Sequence, residues 1–206
     1  MGGILGYIPA GLIIIVYLTV MLNFFLARNK SRRTDYGAFM DEESAANSAR
    51  KREIDPRYLV APDIGALPFS GGLAEEDEVK KTAGLPMIRF DKALTNNELK
   101  LMYGAASLGE ITGMEENYAR FITAMLSWAG ALIGICDYSG AEAVLNETVR
   151  MGSDFSRSYT LLADIRRVSG DASALAALRE TVSGKDLFNG NEELRQKILR
   201  YIDSER

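Results

Sequence analysis

Two aspartates, Asp137 and Asp171, stand 34 positions apart, and each follows one apolar helical run and opens another. A fixed period of this length marks a helix–turn–helix unit stacked on a copy of itself, because one such unit cannot bury its apolar faces alone. The first unit reads MLSWAGALIGICDYSGAEAVLNETV and the second YTLLADIRRVSGDASALAALRETV. This spacing predicts an all-α domain built as a short stack of helix pairs.

The flanking residues place the helices. Thr95 and Glu98 form a capping box, in which the Thr side chain and the Glu side chain each satisfy a free backbone N–H. Leu99, Met102, Tyr103 and Ala106 then follow at helical spacing, so a helix is expected to end near Ser107. Thr112 with Glu115 reads as a second box, opening a long helix to about Ile135 with Phe121, Ile122, Met125, Ala129, Leu132 and Ile133 inside. Ser139 with Glu142 reads as a third, for a helix stopped by Gly152. A helix over residues 156–168 should break at Ser169 and Gly170, and Asp171 should cap another to about Val182. Asn191 should cap a last helix carrying the stripe Leu194, Ile198, Tyr201, Ile202.

These residues resemble the tetratricopeptide-repeat family. Trp128-Ala129 and Leu132 stand where that family has its apolar–small pattern, and Cys136-Asp137-Tyr138 stands where it has Gly-Asp-Tyr. Ala141 and Leu145 match its second helix; Leu162-Ala163, Gly170-Asp171 and Leu178 match in the second unit. Arg166 and Ala172 depart from its aromatic positions, and the helix-ending proline is missing from both units. The resemblance covers residues 122–182 and implies a stack capped by residues 95–110 and 191–204. It also implies a peptide-binding concave face made by the first helix of each pair. That face would carry Thr123, Leu126, Gly130 and Ile133 from one unit and Arg157, Thr160, Asp164 and Arg167 from the next. Arg157 and Arg167 could hold an acidic peptide, whereas the plain alternative is a solvated face on which Asp164 pairs with one of them. Gly130 and Gly134 read either as room for a partner backbone or, preferably, as tight packing of the proline-bearing arm described below.

The chain begins with a second constraint. Residues 4–26 carry no charged side chain. At about 1.5 Å per residue they span roughly 34 Å, against about 30 Å of bilayer hydrocarbon. A transmembrane helix is therefore expected over residues 4–27, behind a short extracytoplasmic start at 1–3. A cleaved signal peptide would need a basic leader and a shorter apolar run, and no Lys or Arg precedes this one. Arg28, Lys30, Arg32 and Arg33 all follow it, so the positive-inside rule puts the rest of the chain in the cytoplasm, under an inner membrane. The whole resembles uncharacterised single-pass bacterial membrane proteins with a helical-repeat tail.

Between anchor and stack lie a tether and an arm. Residues 28–55 hold the basic juxtamembrane cluster and an Ala-rich charged stretch, expected as a short exposed helix over 41–53. In residues 56–94, Pro56, Pro62 and Pro68 forbid a long helix. Tyr58, Leu59, Val60, Ile64, Leu67 and Phe69 are too apolar for a free linker. We expect an extended arm buried along the helical domain (residues 95–206), interrupted by a short surface helix over 75–81 and closed by a second extended piece, LPMIRF, that pairs with the first.

The 206 residues contain no histidine and one cysteine, Cys136. That removes His-based nucleophilic catalysis and metal ligation, and any disulfide framework within the chain. A net charge of -4 argues against nucleic-acid binding. No phosphate-loop or nucleophile-elbow motif is present, and Ser70-Gly71-Gly72 reads as an ordinary turn. The expectation is a non-enzyme with no cofactor or metal. It would be a membrane-anchored scaffold or adaptor whose partners are the bilayer and a cytosolic protein or peptide. The alternative is a structural subunit that contacts its complex through the transmembrane helix, and a small enzyme or sensor is more remote. Oligomeric state and partner identity are open.

Overall fold

The computed structural model describes residues 21, 37, 39–184 and 188–204. The expected transmembrane helix, and with it Arg28, Lys30, Arg32 and Arg33, lies outside the described residues. No helix among the described residues is long and apolar enough to cross a membrane.

The described chain is all-α apart from one short ribbon. Helical residues 39–48 (α1) are followed by β1 (Leu59–Val60), α2 (Ala74–Ala83) and β2 (Met87–Ile88). Then come α3 (Asn96–Tyr103), α4 (Leu108–Gly134), α5 (Tyr138–Arg150), α6 (Ser156–Val168), α7 (Ala172–Ser183) and α8 (Glu192–Asp203). Three single 3-10 turns precede α4 and a fourth precedes α8.

Helices α4 and α5 form one hairpin and α6 and α7 another. Their turns share the same capping and helix-closing bonds. Asp137 and Asp171 each accept a hydrogen bond from the backbone N–H three residues on, Gly140 and Ala174, both at 2.9 Å. Their own N–H groups reach back to Leu132 at 2.9 Å and Arg166 at 3.0 Å, the bond that closes a helix through a left-handed residue. That residue is Gly170 in one turn, with φ 72°, and Cys136 in the other, with φ 62°. The carboxyl of Asp171 is held below its usual range, first by the Ala174 N–H and then by the Ser173 hydroxyl.

The small residues do what their positions require. Ala129, Ala141 and Ala163 are fully buried where helices approach, beside Phe121, Trp128, Leu145, Tyr159 and Leu162. Arg166, at a position where the resemblance expects an aromatic residue, replaces apolar packing with a polar staple. It donates to Glu142 at 3.0 Å, to Asn146 at 2.7 Å and to the Ala174 carbonyl at 2.8 Å. Helix α8 packs against α6 and α7 through Ile198 and Ile202. Its opposite side is polar.

The arm lies along the stack, and β1 pairs antiparallel with β2, Leu59 opposite Ile88 and Val60 opposite Met87. Phe69 stacks on Trp128, ring centroids 4.7 Å apart, a contact worth about 1 kcal/mol beyond its buried area. Two carboxylates pin the arm. Glu147 on α5 accepts from the Asp63 N–H at 2.7 Å and pairs with Arg150, which also donates to the Ala61 carbonyl. Glu76 on α2 is fully buried. It accepts from the Gly71 N–H at 2.7 Å and from the Ser70 N–H and hydroxyl, with Lys80 at 3.6 Å. The Ser70-Gly71 turn thus cradles an anion after all, one supplied by the chain itself.

Several expectations need correction. Leu59 and Ile64 remain exposed, because β1 is an edge strand and Ile64 sits in a 3-10 turn. Helix α2 is longer than expected and buries Val79, Thr82 and Ala83 as well as Glu76. The capping box at Thr95 and Glu98 is present with both bonds, yet α3 stops at Tyr103. Gly104 there has φ 88° and ψ 148°, a conformation open essentially to glycine. Thr112 lies inside α4, which already begins at Leu108, and Asp137 rather than Ser139 caps α5. The charged helix α1 ends at Ser48, and the basic residues after it form a strap. The Arg52 N–H bonds the Tyr103 carbonyl at 2.9 Å, Lys51 pairs with Glu110 at 3.2 Å, and the backbone of Arg50 and Lys51 rests directly on Gly104.

Candidate functional site: a groove between α4 and α6

Helix α4 leaves one face uncovered between α6 and the arm. Thr123, Leu126, Ser127 and Gly130 recur there at three- and four-residue spacing, so they share that face. Phe155 and Arg157, from the start of α6, close the other side, and the groove has a volume of ≈ 580 Å³. No arm residue lines it, so it stands open rather than filled by residues 56–94.

Four of the expected residues therefore meet: Thr123, Leu126, Gly130 and Arg157. A Cβ built on Gly130 would meet only the Arg157 guanidinium, at 3.8 Å, and one on Gly134 would meet nothing. Neither glycine packs against the arm, which overturns the preferred reading of that pair. A mid-helix glycine costs about 1 kcal/mol relative to alanine. At Gly130 it leaves the helix backbone open to the groove.

Arg157 is exposed, and its guanidinium makes no ion pair among the described residues. It stands in the first turn of α6, where no acidic residue and no side-chain cap offsets the helix dipole. The positive end of that dipole adds to its charge. The Thr123 hydroxyl is turned back to the Ala119 carbonyl at 2.8 Å, whereas Ser127 is exposed.

The other four expected residues lie elsewhere. Ile133 packs against the core. Thr160 is half-buried, its hydroxyl 3.5 Å from the Arg157 carbonyl. Asp164 and Arg167 face α8, not the groove. Arg167 donates to Asp164 at 2.8 Å and to the Ile202 carbonyl at 3.1 Å, with a further bond to the Tyr201 carbonyl. The Tyr201 hydroxyl donates to Asp164 at 2.8 Å. Arg167 thus caps the C-terminus of α8 and is not available to a ligand. Sequence reasoning missed Ser127 and Phe155. Ser127 could have been found one turn beyond Thr123; Phe155 lies before α6, outside its periodicity.

A second cavity of ≈ 360 Å³ adjoins the groove across Phe155. The arm residues Phe90 and Leu94 wall it, with Glu115 and Tyr118 of α4 and Asp154 of the α5–α6 turn. Burial pushes the Glu115 carboxyl above its usual range. No group of three potential ligands among the described residues is placed to hold a metal ion. Comparison with protein-family models, with curated proteins and with solved structures returns no match for this chain.

Proposed function

We propose that the protein is a membrane-anchored scaffold or adaptor. Its two tetratricopeptide-like hairpins bind an extended segment of a cytosolic protein in the groove between α4 and α6. The uncharged run over residues 4–26 would hold the domain at the membrane, and tethering raises the effective concentration of the site, so weak binding suffices.

The observation that carries this reading is the open groove itself. It combines an apolar floor at Leu126, a glycine backbone at Gly130, the exposed ring of Phe155 and the cation of Arg157, which makes no ion pair among the described residues.

The test is affinity capture of the full-length chain from gently solubilised membranes, beside the Arg157→Glu variant. Loss of a specific partner with the variant supports the groove. A partner retained unchanged would favour the alternative in which the transmembrane segment makes the contact.

A further inference from the structure

The two cavities on either side of Phe155 differ in charge. Among the described residues lining the groove, Arg157 alone is charged. In the cavity on the arm side, Arg89 lies 3.8 Å from Asp91 and its guanidinium packs on the Gly152 backbone. Lys92 stands in the field of Glu98. Three lining charges make no ion pair among the described residues, the carboxylates Glu115 and Asp154 and the ammonium of Lys92, so carboxylate is in excess there. The two carboxylates come from different elements, and Phe155 with Phe90 and Leu94 offers apolar walls between them. A cation on an aliphatic stem fits such a place: the stem lies on the apolar wall and the head meets carboxylate.

The separation follows from α4. The cavity touches it around Glu115 to Ala119, the groove around Thr123 to Gly130. Glu115 lies fifteen residues before Gly130, the position that Arg157 lies against, which is about 22 Å along a helix. We infer that the arm-side cavity receives a basic side chain of the bound segment, so that the protein reads a basic and an acidic residue about six to seven positions apart in an extended peptide. This rests on the groove being a peptide site, and it adds a determinant built by the arm, outside the repeat stack.

The experiment is selection of random displayed peptides on the immobilised full-length chain, followed by fluorescence anisotropy of the selected sequences. Enriched peptides are expected to pair Lys or Arg with Asp or Glu at about that spacing. Glu115→Lys should weaken them by roughly tenfold. The same variant should recover binding when the peptide's basic residue is replaced by an acidic one, a reversal that damage to the fold cannot produce. Peptides that depend on Arg157 but carry no basic position, or that ignore Glu115→Lys, would overturn this inference and leave the groove standing. No enrichment at all would overturn both.

Discussion

The reciprocal exchange of the two hairpin turns offers a quantitative check on the fold. Cys136 holds φ 62° where the matching residue, Gly170, holds φ 72°. A residue with a Cβ costs roughly 1–2 kcal/mol in that region. Glycine returns about 0.4–1 kcal/mol of this through the greater entropy of its unfolded chain. Cys136 is exposed, so removing its side chain sacrifices little burial. Cys136→Gly should therefore stabilise by about 0.5–1 kcal/mol. Gly170→Ala should destabilise by a similar amount, because a Cβ there meets no atom within 4 Å and the backbone term stands alone. For a domain of this size such changes move Tm by about 2–5 °C, in opposite directions. Thermal and urea unfolding of the full-length chain in mild detergent, followed by far-UV circular dichroism, would read both. If Cys136→Gly destabilises, or Gly170→Ala is neutral, the two turns are not equivalent and the stacked-copy account fails.

Other perturbations test separate joints. Gly104→Ala would drive a methyl to 2.6 Å from the Lys51 backbone nitrogen as well as straining φ. It should cost about 3 kcal/mol and release amide protection at Arg52 in hydrogen exchange. Phe69→Ala should cost about 2 kcal/mol, since the ring is half-buried. It should also shift the emission of Trp128, the chain's one tryptophan, to the red as water reaches the indole. Burial raises the Glu76 carboxyl, but the Gly71 and Ser70 donors and Lys80 outweigh it and hold the group below its ordinary value of 4.5. Its contribution is thus complete above that value and drains away as pH falls through the lower folded one. Glu76→Gln should lower stability at neutral pH and flatten the acid limb of a stability–pH curve; an unchanged limb would remove Glu76 from the account.

Much of the stack was legible because its signals are local. Asp171 and Asn191 lie immediately before their helices, and Gly152 and Gly170 at the ends of theirs, so α6, α7 and α8 follow from neighbouring residues. The misreadings share a cause. Thr112 with Glu115 and Ser139 with Glu142 satisfy the capping pattern, but α4 had already started against the Gly104 strap and Asp137 reached the Gly140 N–H first. The arm's anchors were invisible for the same reason: Glu147 meets an N–H 84 residues earlier in the chain. At the site, the repeat resemblance implied one face for Thr123, Leu126, Gly130 and Arg157, and the four line one groove. It failed for Asp164 and Arg167 because α8, a later element, claims them.

The account's central claim is that the partner lies in the groove between α4 and α6. A photoreactive amino acid placed at Ser127, on the groove face, and in a second chain at Lys197, exposed on α8, would test it in intact cells. The account predicts a discrete crosslinked protein from position 127 and none from position 197. An adduct from position 197 with none from position 127 would contradict it.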